Sequence, residues 1–281
     1  MRNAGGAAAL VLVLAGCRGG EEPAAEPAPG PAAKTAAETP GIPAVSGFKK
    51  AQVYPVPGLP PWRTRAFPPD PPGLAARREA MVEEQLRAIG VTDPRVLEAM
   101  AEVPRHLFVP PHLAARAYDD TPLPIGHGQT ISAPDVVGYM SQALRAAKGD
   151  RVLDIGTGSG YQAAVLAEMG CRVFSIEILE PLAAEAKSRL ERLSYSSITV
   201  RAGDGWAGWP EEAPFDGILC AAAPEQVPEP LLAQLKPGAR LVIPVGPEGR
   251  IQRLLVLQKR ADGGVDREET LAVRFVPMTR K

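Results

Sequence analysis

The stretch RVLDIGTGSGY, residues 151–161, places Gly156, Gly158 and Gly160 between an apolar run and the start of a helical pattern. Glycines there allow a tight turn and let the backbone come close to a ligand. The spacing is G-x-G-x-G, not the G-x-G-x-x-G favoured for a pyrophosphate. Glu177, 21 residues past Gly156, closes the next apolar run, where a carboxylate can grip both hydroxyls of an adenosine ribose. Asp204, in RAGDGW, follows a third apolar run at the same edge and could meet an adenine amino group. One such acid alone is usually a loop or cap residue. A glycine turn followed in order by two strand-end acids points to the crevice where open α/β sheets bind nucleosides.

Charge narrows the nucleoside. Asp154 directly precedes the turn and, on position alone, would repel a pyrophosphate and favour a cation. S-adenosylmethionine carries an ammonium and a sulfonium and no phosphate, so it suits this site better than NAD or ATP. ATP is disfavoured again because no Gly-Lys-Ser/Thr follows the turn. Upstream, TPLPIGHGQTISAP (residues 121–134) offers Thr130, Ser132 and His127 but no carboxylate and no lysine. Read from the residues alone, Ser132 before APDVVGYM is a helix cap, with Asp135 as the alternative cap.

The elements that must position these groups alternate. LAARREAMVEEQLRAIG sets Leu74, Met81, Leu86 and Ile89 on one amphipathic stripe ending at Gly90. Asp93-Pro94 opens a second helix. From Arg151 onward the order is strand RVLDI, helix YQAAVLAEMG, strand CRVFSIE, helix PLAAEAKSRLERL, strands SITVRAGD and FDGILCAAA, helix PEPLLAQLKPG and strand ARLVIPVG. Short connections between alternating types predict a doubly wound, mostly parallel sheet with helices on both faces. The tail IQRLLVLQKRADGGVDREETLAVRFVPMT predicts two strands around a Gly-Gly turn, an antiparallel finish. Cys171 and Cys220 fall on predicted strands and read as buried thiols. His106 and His112 read as packing or surface residues, and Trp206 and Trp209 as cover for the sheet edge.

The balance of 31 basic and 32 acidic residues gives no footprint for nucleic acid, and the three cysteines match no zinc spacing. No metal site is expected. The N-terminus is distinctive. MRNAGGAAALVLVLAGC has Arg2, a short apolar core and small residues before Cys17. LAGC resembles a bacterial lipobox, which implies a signal over residues 1–17 with Cys17 lipidated. Residues 18–72 are rich in Ala, Pro and Glu without apolar periodicity, which reads as an extended tether. The folded domain is expected over 73–281. Export with a lipid anchor on the periplasmic side of a bacterial membrane follows if the leader is processed, and a cytoplasmic protein if it is not. S-adenosylmethionine is made inside the cell, so the exported reading leaves its supply unexplained.

VPRHLFVP, DDTPLPIGHGQTISAP, VLDIGTGSGYQAAVLAEMG, GDGWAGWPEEAPFDGILCAAAPEQVPEPL, PGARLVIPVG and VRFVPM together resemble the protein-L-isoaspartate O-methyltransferase family, from about Leu74 to Thr279. GQTIS and AVRFVPM are specific to that family, whereas the glycine turn is common to many methyltransferases. The resemblance implies a class I, Rossmann-like methyltransferase that moves a methyl from S-adenosylmethionine to the carboxylate of isoaspartyl residues in damaged proteins. It implies Ser132 as the active-site serine and Thr130, Ser132 and Val276 as substrate contacts. Thr130, Ile131, Ser132, Asp154, Gly156, Gly158, Glu177, Ile178, Asp204, Gly205 and Thr279 are the implied cofactor contacts. A carboxylate with pKa near ~4 is already ionised at neutral pH, and a thioether leaves uncharged, so neither base nor acid is needed. Alignment is what remains, and neutral hydroxyls can provide it. A monomer acting on isoaspartyl proteins is expected. Other readings are a small-molecule methyltransferase, which normally needs a base, an NAD-dependent oxidoreductase, and a catalytically silent anchored protein of the same fold.

Overall fold

The structure, a computed structural model, describes residues 67–280. The expected signal, Cys17 and most of the expected tether lie outside the described residues. Among the described residues no helix is long and apolar enough to cross a membrane.

Two short helices, α1 (Leu74–Ala80) and α2 (Pro94–Glu102), open the fold. Asp93 caps α2 by accepting from the Arg95 amide at 2.9 Å, with Pro94 in the first turn as its sequence suggests. The stripe from Leu74 to Ile89 is not one uniform helix. It widens to a π-helical segment over Met81–Leu86 and tightens to a 3-10 turn over Arg87–Ile89. The widening keeps Met81, Val82 and Leu86 buried together, while Ile89 is only half-buried.

The opening motif of the site is itself structured. β1 (Leu123–Gly126) and β2 (Gln129–Ile131) form an antiparallel hairpin around His127-Gly128, both at positive φ (52° and 71°). Two positive-φ residues make a turn whose twist matches paired strands. α3 (Pro134–Leu144) follows at once.

The main sheet contains β3 (Arg151–Ile155), β4 (Arg172–Glu177), β5 (Ile198–Ala202), β6 (Phe215–Cys220), β7 (Leu235–Val245), β8 (Gln252–Lys259) and β9 (Val265–Val273). Their order is β5-β4-β3-β6-β7-β8-β9. β5 through β7 in that order are parallel, and β7-β8-β9 are antiparallel. The chain steps one way from β3 to β4 and the other way to reach β6, which opens a crevice between β3 and β6 at their carboxyl ends.

α4 (Tyr161–Glu168), α5 (Glu180–Arg192) and α6 (Glu229–Ala233) complete the layers. Along β3 and β6, Leu153, Ile155, Ile218 and Cys220 face a core that includes Trp209 and Leu231 of α6. On the opposite face a Cβ at Gly217 would lie 3.0 Å from Leu144, so glycine lets α3 rest directly on β6. The expected helix PEPLLAQLKPG is shorter than its pattern. α6 ends at Ala233, and β7 already begins at Leu235, because Leu235 pairs with Phe215 across the sheet. Cys220 ends β6 and Cys171 immediately precedes β4; both are buried.

Candidate active site

The glycine turn after β3 needs its glycines for conformation. Gly156, Gly158 and Gly160 adopt φ of 88°, 55° and 88°, a region costly for side chains. The Gly156 amide donates to the Ile176 carbonyl at 2.9 Å, which locks the turn against the end of β4. Glu177, at the tip of β4, is 6% exposed and accepts from the backbone of Gly158 at 2.9 Å and of Leu179 at 3.1 Å. Its carboxylate is thus held rigid while lone pairs remain for a diol. Gly205 closes the floor, since a Cβ there would collide with Ile155.

These residues bound a cavity of about 300 Å³. Its lining includes His127, Thr130, Ile131, Ser132, Gly156, Gly158, Glu177, Ile178, Gly205, Val276 and Thr279, and it contains no lysine and no arginine. Glu177 is its one carboxylate. Apart from His127, which is turned to Glu185, a donor set of backbone amides, hydroxyls, two side-chain amides and one acid offers nothing to neutralise a polyphosphate. It fits a nucleoside with a cationic tail, so these residues fit S-adenosylmethionine.

Two acids assigned to the cofactor by sequence are not among the residues lining this cavity. Asp154 is fully buried and does not line the cavity. Its Oδ2 accepts from the Ser175 hydroxyl at 2.7 Å, which in turn lies 2.6 Å from Thr157 Oγ1. Burial, aided by the charge of Glu177 and opposed by the Ser175 hydrogen bond, pushes Asp154 up to about 7. It therefore braces the turn from behind, because alternation along β3 turns its side chain away from the crevice. Asp204 caps a short 3-10 turn by accepting from the Trp206 amide at 2.9 Å and is not part of the lining.

The hairpin and the C-terminal arm supply the remaining walls. Thr130 and Ser132, two apart on an extended segment, both line the cavity and a second chamber beyond it. Ser132 caps nothing: α3 has Ala133 at its N-cap with no side-chain hydrogen bond, and Asp135 accepts from the next amide, Val136, at 2.6 Å. The arm carrying Val276 and Thr279 is stitched to β6 through Ala223, which donates to Val276 at 2.8 Å and accepts from Met278 at 2.9 Å. Buried Gln252 also clamps the Phe275 amide at 2.8 Å.

Sequence reasoning missed Gln252, Tyr161, Gln162, Ala221 and Ala222. The last four line the cavity through position in the fold, and nothing in their types announced it. His127 lies at the hairpin tip, 3.0 Å from Glu185 of α5. His106 is buried against the Tyr118 hydroxyl at 2.9 Å. Trp209 packs edge-on to Phe174, while Trp206 lies under the Arg280 guanidinium at 3.8 Å, so neither lines the cavity.

The protein-L-isoaspartate(D-aspartate) O-methyltransferase family matches residues 76–281. The chain belongs to this family. A relative from Gloeobacter violaceus, a protein-L-isoaspartate O-methyltransferase, is 56% identical over 201 residues, covering 72% of this chain and 98% of its own. One of the same name from Opitutus terrae is also 56% identical, covering 73% of this chain and 87% of its own. Among solved structures, a protein-L-isoaspartate O-methyltransferase superposes with a TM-score of 0.65 at 31% identity, covering 71% of this chain and 65% of that one. A Plasmodium falciparum structure, described as a putative member in complex with S-adenosyl-L-homocysteine, superposes with a TM-score of 0.62 at 24% identity. It covers 73% of this chain and 99% of its own, and it supports the fold. The fold is that of the S-adenosylmethionine-dependent methyltransferases, as the family's alternation of strands and helices requires.

Proposed function

We propose that this chain transfers a methyl group from S-adenosylmethionine to the carboxylate of isoaspartyl residues in damaged proteins. Family membership supports the reaction, and one observation about the site carries the chemistry. The wall shared by the two chambers presents the hydroxyls of Thr130 and Ser132 and no lysine, arginine or base. When bound, S-adenosylmethionine supplies an electrophilic methyl on sulfur. The residues have only to hold an ionised carboxylate in line and exclude water, which is catalysis by proximity. Ser132 sits where it can orient that carboxylate, and Thr130 beside it completes a pair of neutral donors. Glu177, Ile178, Gly156, Gly158 and Gly205 would hold the adenosine and amino-acid parts of the cofactor. Asp154 and Asp204 would act through the turns they brace.

The purified full chain should label a peptide containing isoaspartate from methyl-labelled cofactor and leave its normal aspartyl twin unlabelled. Equal labelling of both would sink the reading. In the same assay Ser132→Ala should cut turnover at least about tenfold, about 1.4 kcal/mol of transition-state stabilisation, while S-adenosylhomocysteine affinity stays within about twofold. A turnover equal to wild type would remove Ser132 from the reaction.

The leader supports a second assignment. Arg2, the short apolar run and LAGC suit processing and lipidation at Cys17, with residues 18–72 as spacer and 73–281 as the catalytic domain. Mass spectrometry of the protein from membranes of its native host should find a mature chain beginning at a diacylated Cys17. A chain that still begins at Met1 would refute the anchor.

A further inference from the structure

Beyond the shared wall lies a second chamber of about 40 Å³, bounded by Thr130, Ser132, Asp135, Ala221, Phe275 and Val276 among others. By the measure in which one water needs about 10–15 Å³, it has room for a small polar group and not for another nucleoside. Most of its wall is apolar. Asp135, in the first turn of α3, is the one acid in that wall and only 3% exposed.

Asp135 is not arranged as a free carboxylate. Its Oδ1 accepts from the Val136 amide, and Asp120, on the segment before β1, is near enough for its charge to act on it. Two carboxylates placed close together in an apolar site repel, which favours a proton on one of them. The guanidinium of Arg105, fully buried beneath, does not supply a counter-ion contact. Its Nε donates to the Ala117 carbonyl at 2.7 Å, it lies 4.9 Å from the Tyr161 ring, and its two terminal nitrogens have no hydrogen-bond partner among the described residues. Arg274 lines the chamber from an exposed position on the C-terminal arm. Charges on the other elements against α3 are engaged at its far end, where Arg240 donates to the Ala143 carbonyl and Arg95 to the Ala146 carbonyl.

We propose that Asp135, buried in the chamber wall with the Asp120 charge nearby, bears a proton and donates it in a hydrogen bond that positions the isoaspartyl substrate, so that peptide affinity depends on pH. This rests on the function proposed above, which places an anionic carboxylate at Ser132 next to this wall. Protonated, Asp135 adds a third neutral donor beside the two hydroxyls. Ionised, it sets a second negative charge against the incoming one in an apolar pocket, where like charges repel strongly. Burial first, and then the Asp120 charge, push the Asp135 carboxyl up to about 6, with the Val136 amide and Arg105 opposing. The substrate carboxylate ionises above about pH 4, so the matched pair of states is fullest between about 4 and 6 and is lost as pH rises further.

The test measures kcat and KM of the full chain for an isoaspartyl peptide from about pH 5.5 to about pH 8. Wild-type KM should climb at least about tenfold across that range while kcat changes less than about twofold, since the neutral fraction falls about tenfold per pH unit above the titration. Asp135→Asn should hold KM flat. Asp120→Asn should move the climb to lower pH, because the neighbouring negative charge is gone. A purely structural role for Asp135 would lower kcat at every pH and leave the KM slope in place. A wild-type slope in Asp135→Asn, or a flat wild-type KM, overturns the assignment. Should Asp135→Asn lose S-adenosylhomocysteine binding and so prove misfolded, Asp120→Asn decides, and an unmoved climb overturns it. Failure of the wild type to methylate the peptide at any pH overturns the function itself, and that result differs from a methylating wild type whose Asp135 variant is unaltered.

Discussion

Glu177→Ala should weaken S-adenosylhomocysteine binding by about a hundredfold or more, about 2.7 kcal/mol, as read by calorimetric titration. The buried carboxylate of Glu177 holds the amides of Gly158 and Leu179 at once. Each charge-assisted hydrogen bond of this kind contributes on the order of 1.5–3 kcal/mol. Alanine leaves both amides without their acceptor and removes the acid positioned for the ribose. The glycine turn then loses one of its ties to β4, that through Gly158, as well as its ligand contact, while the Gly156 amide keeps the Ile176 carbonyl. Glu177→Gln keeps the shape but turns an amide donor toward donors, so it should recover only part of the affinity. Affinity within about threefold of wild type in the alanine variant would show that the ribose is held elsewhere.

Phe174→Ala should cost about 3–5 kcal/mol of folding stability, the range for emptying an aromatic site in a packed core. Phe174 is 1% exposed in the middle of β4. Its ring meets Trp209 edge-on at 5.8 Å and Phe215 at 5.7 Å. The guanidinium groups of Arg151 and Arg172 lie 4.5 Å and 5.2 Å from it. Removing the ring therefore deletes apolar burial, two aromatic contacts and two cation–π contacts together. Urea denaturation checks the value, and a loss below about 1 kcal/mol would mean that Trp209 and Phe215 collapse into the space. Because β4 carries Glu177 at its tip, cofactor affinity should fall in the same variant only as far as the strand end shifts.

The central parallel strands β3, β4 and β6 were legible because each is an apolar run bounded by turn residues, and burial on both faces demands that composition. The turn glycines were legible because the positive φ they adopt is hard for other residues to reach. Glu177 was readable because the tip of a parallel strand faces the crevice at the switch in strand order. The structure places Thr130, Ile131, Ser132, Gly156, Gly158, Glu177, Ile178, Gly205, Val276 and Thr279 around one cavity.

Local pattern determined that much: strand, turn, helix, and the polar residue types at each junction. Tertiary structure decided the rest, because side-chain direction and distant neighbours are not written in spacing. A single step of alternation along β3 sends Asp154 behind the turn, where Ser175 holds it. Pairing of Leu235 with Phe215 starts β7 where helical periodicity still held. Most of all, Asp135 and Asp120, 15 positions apart and unremarkable as letters, come near enough for one charge to act on the other only when α3 and the segment before β1 meet beside the second chamber.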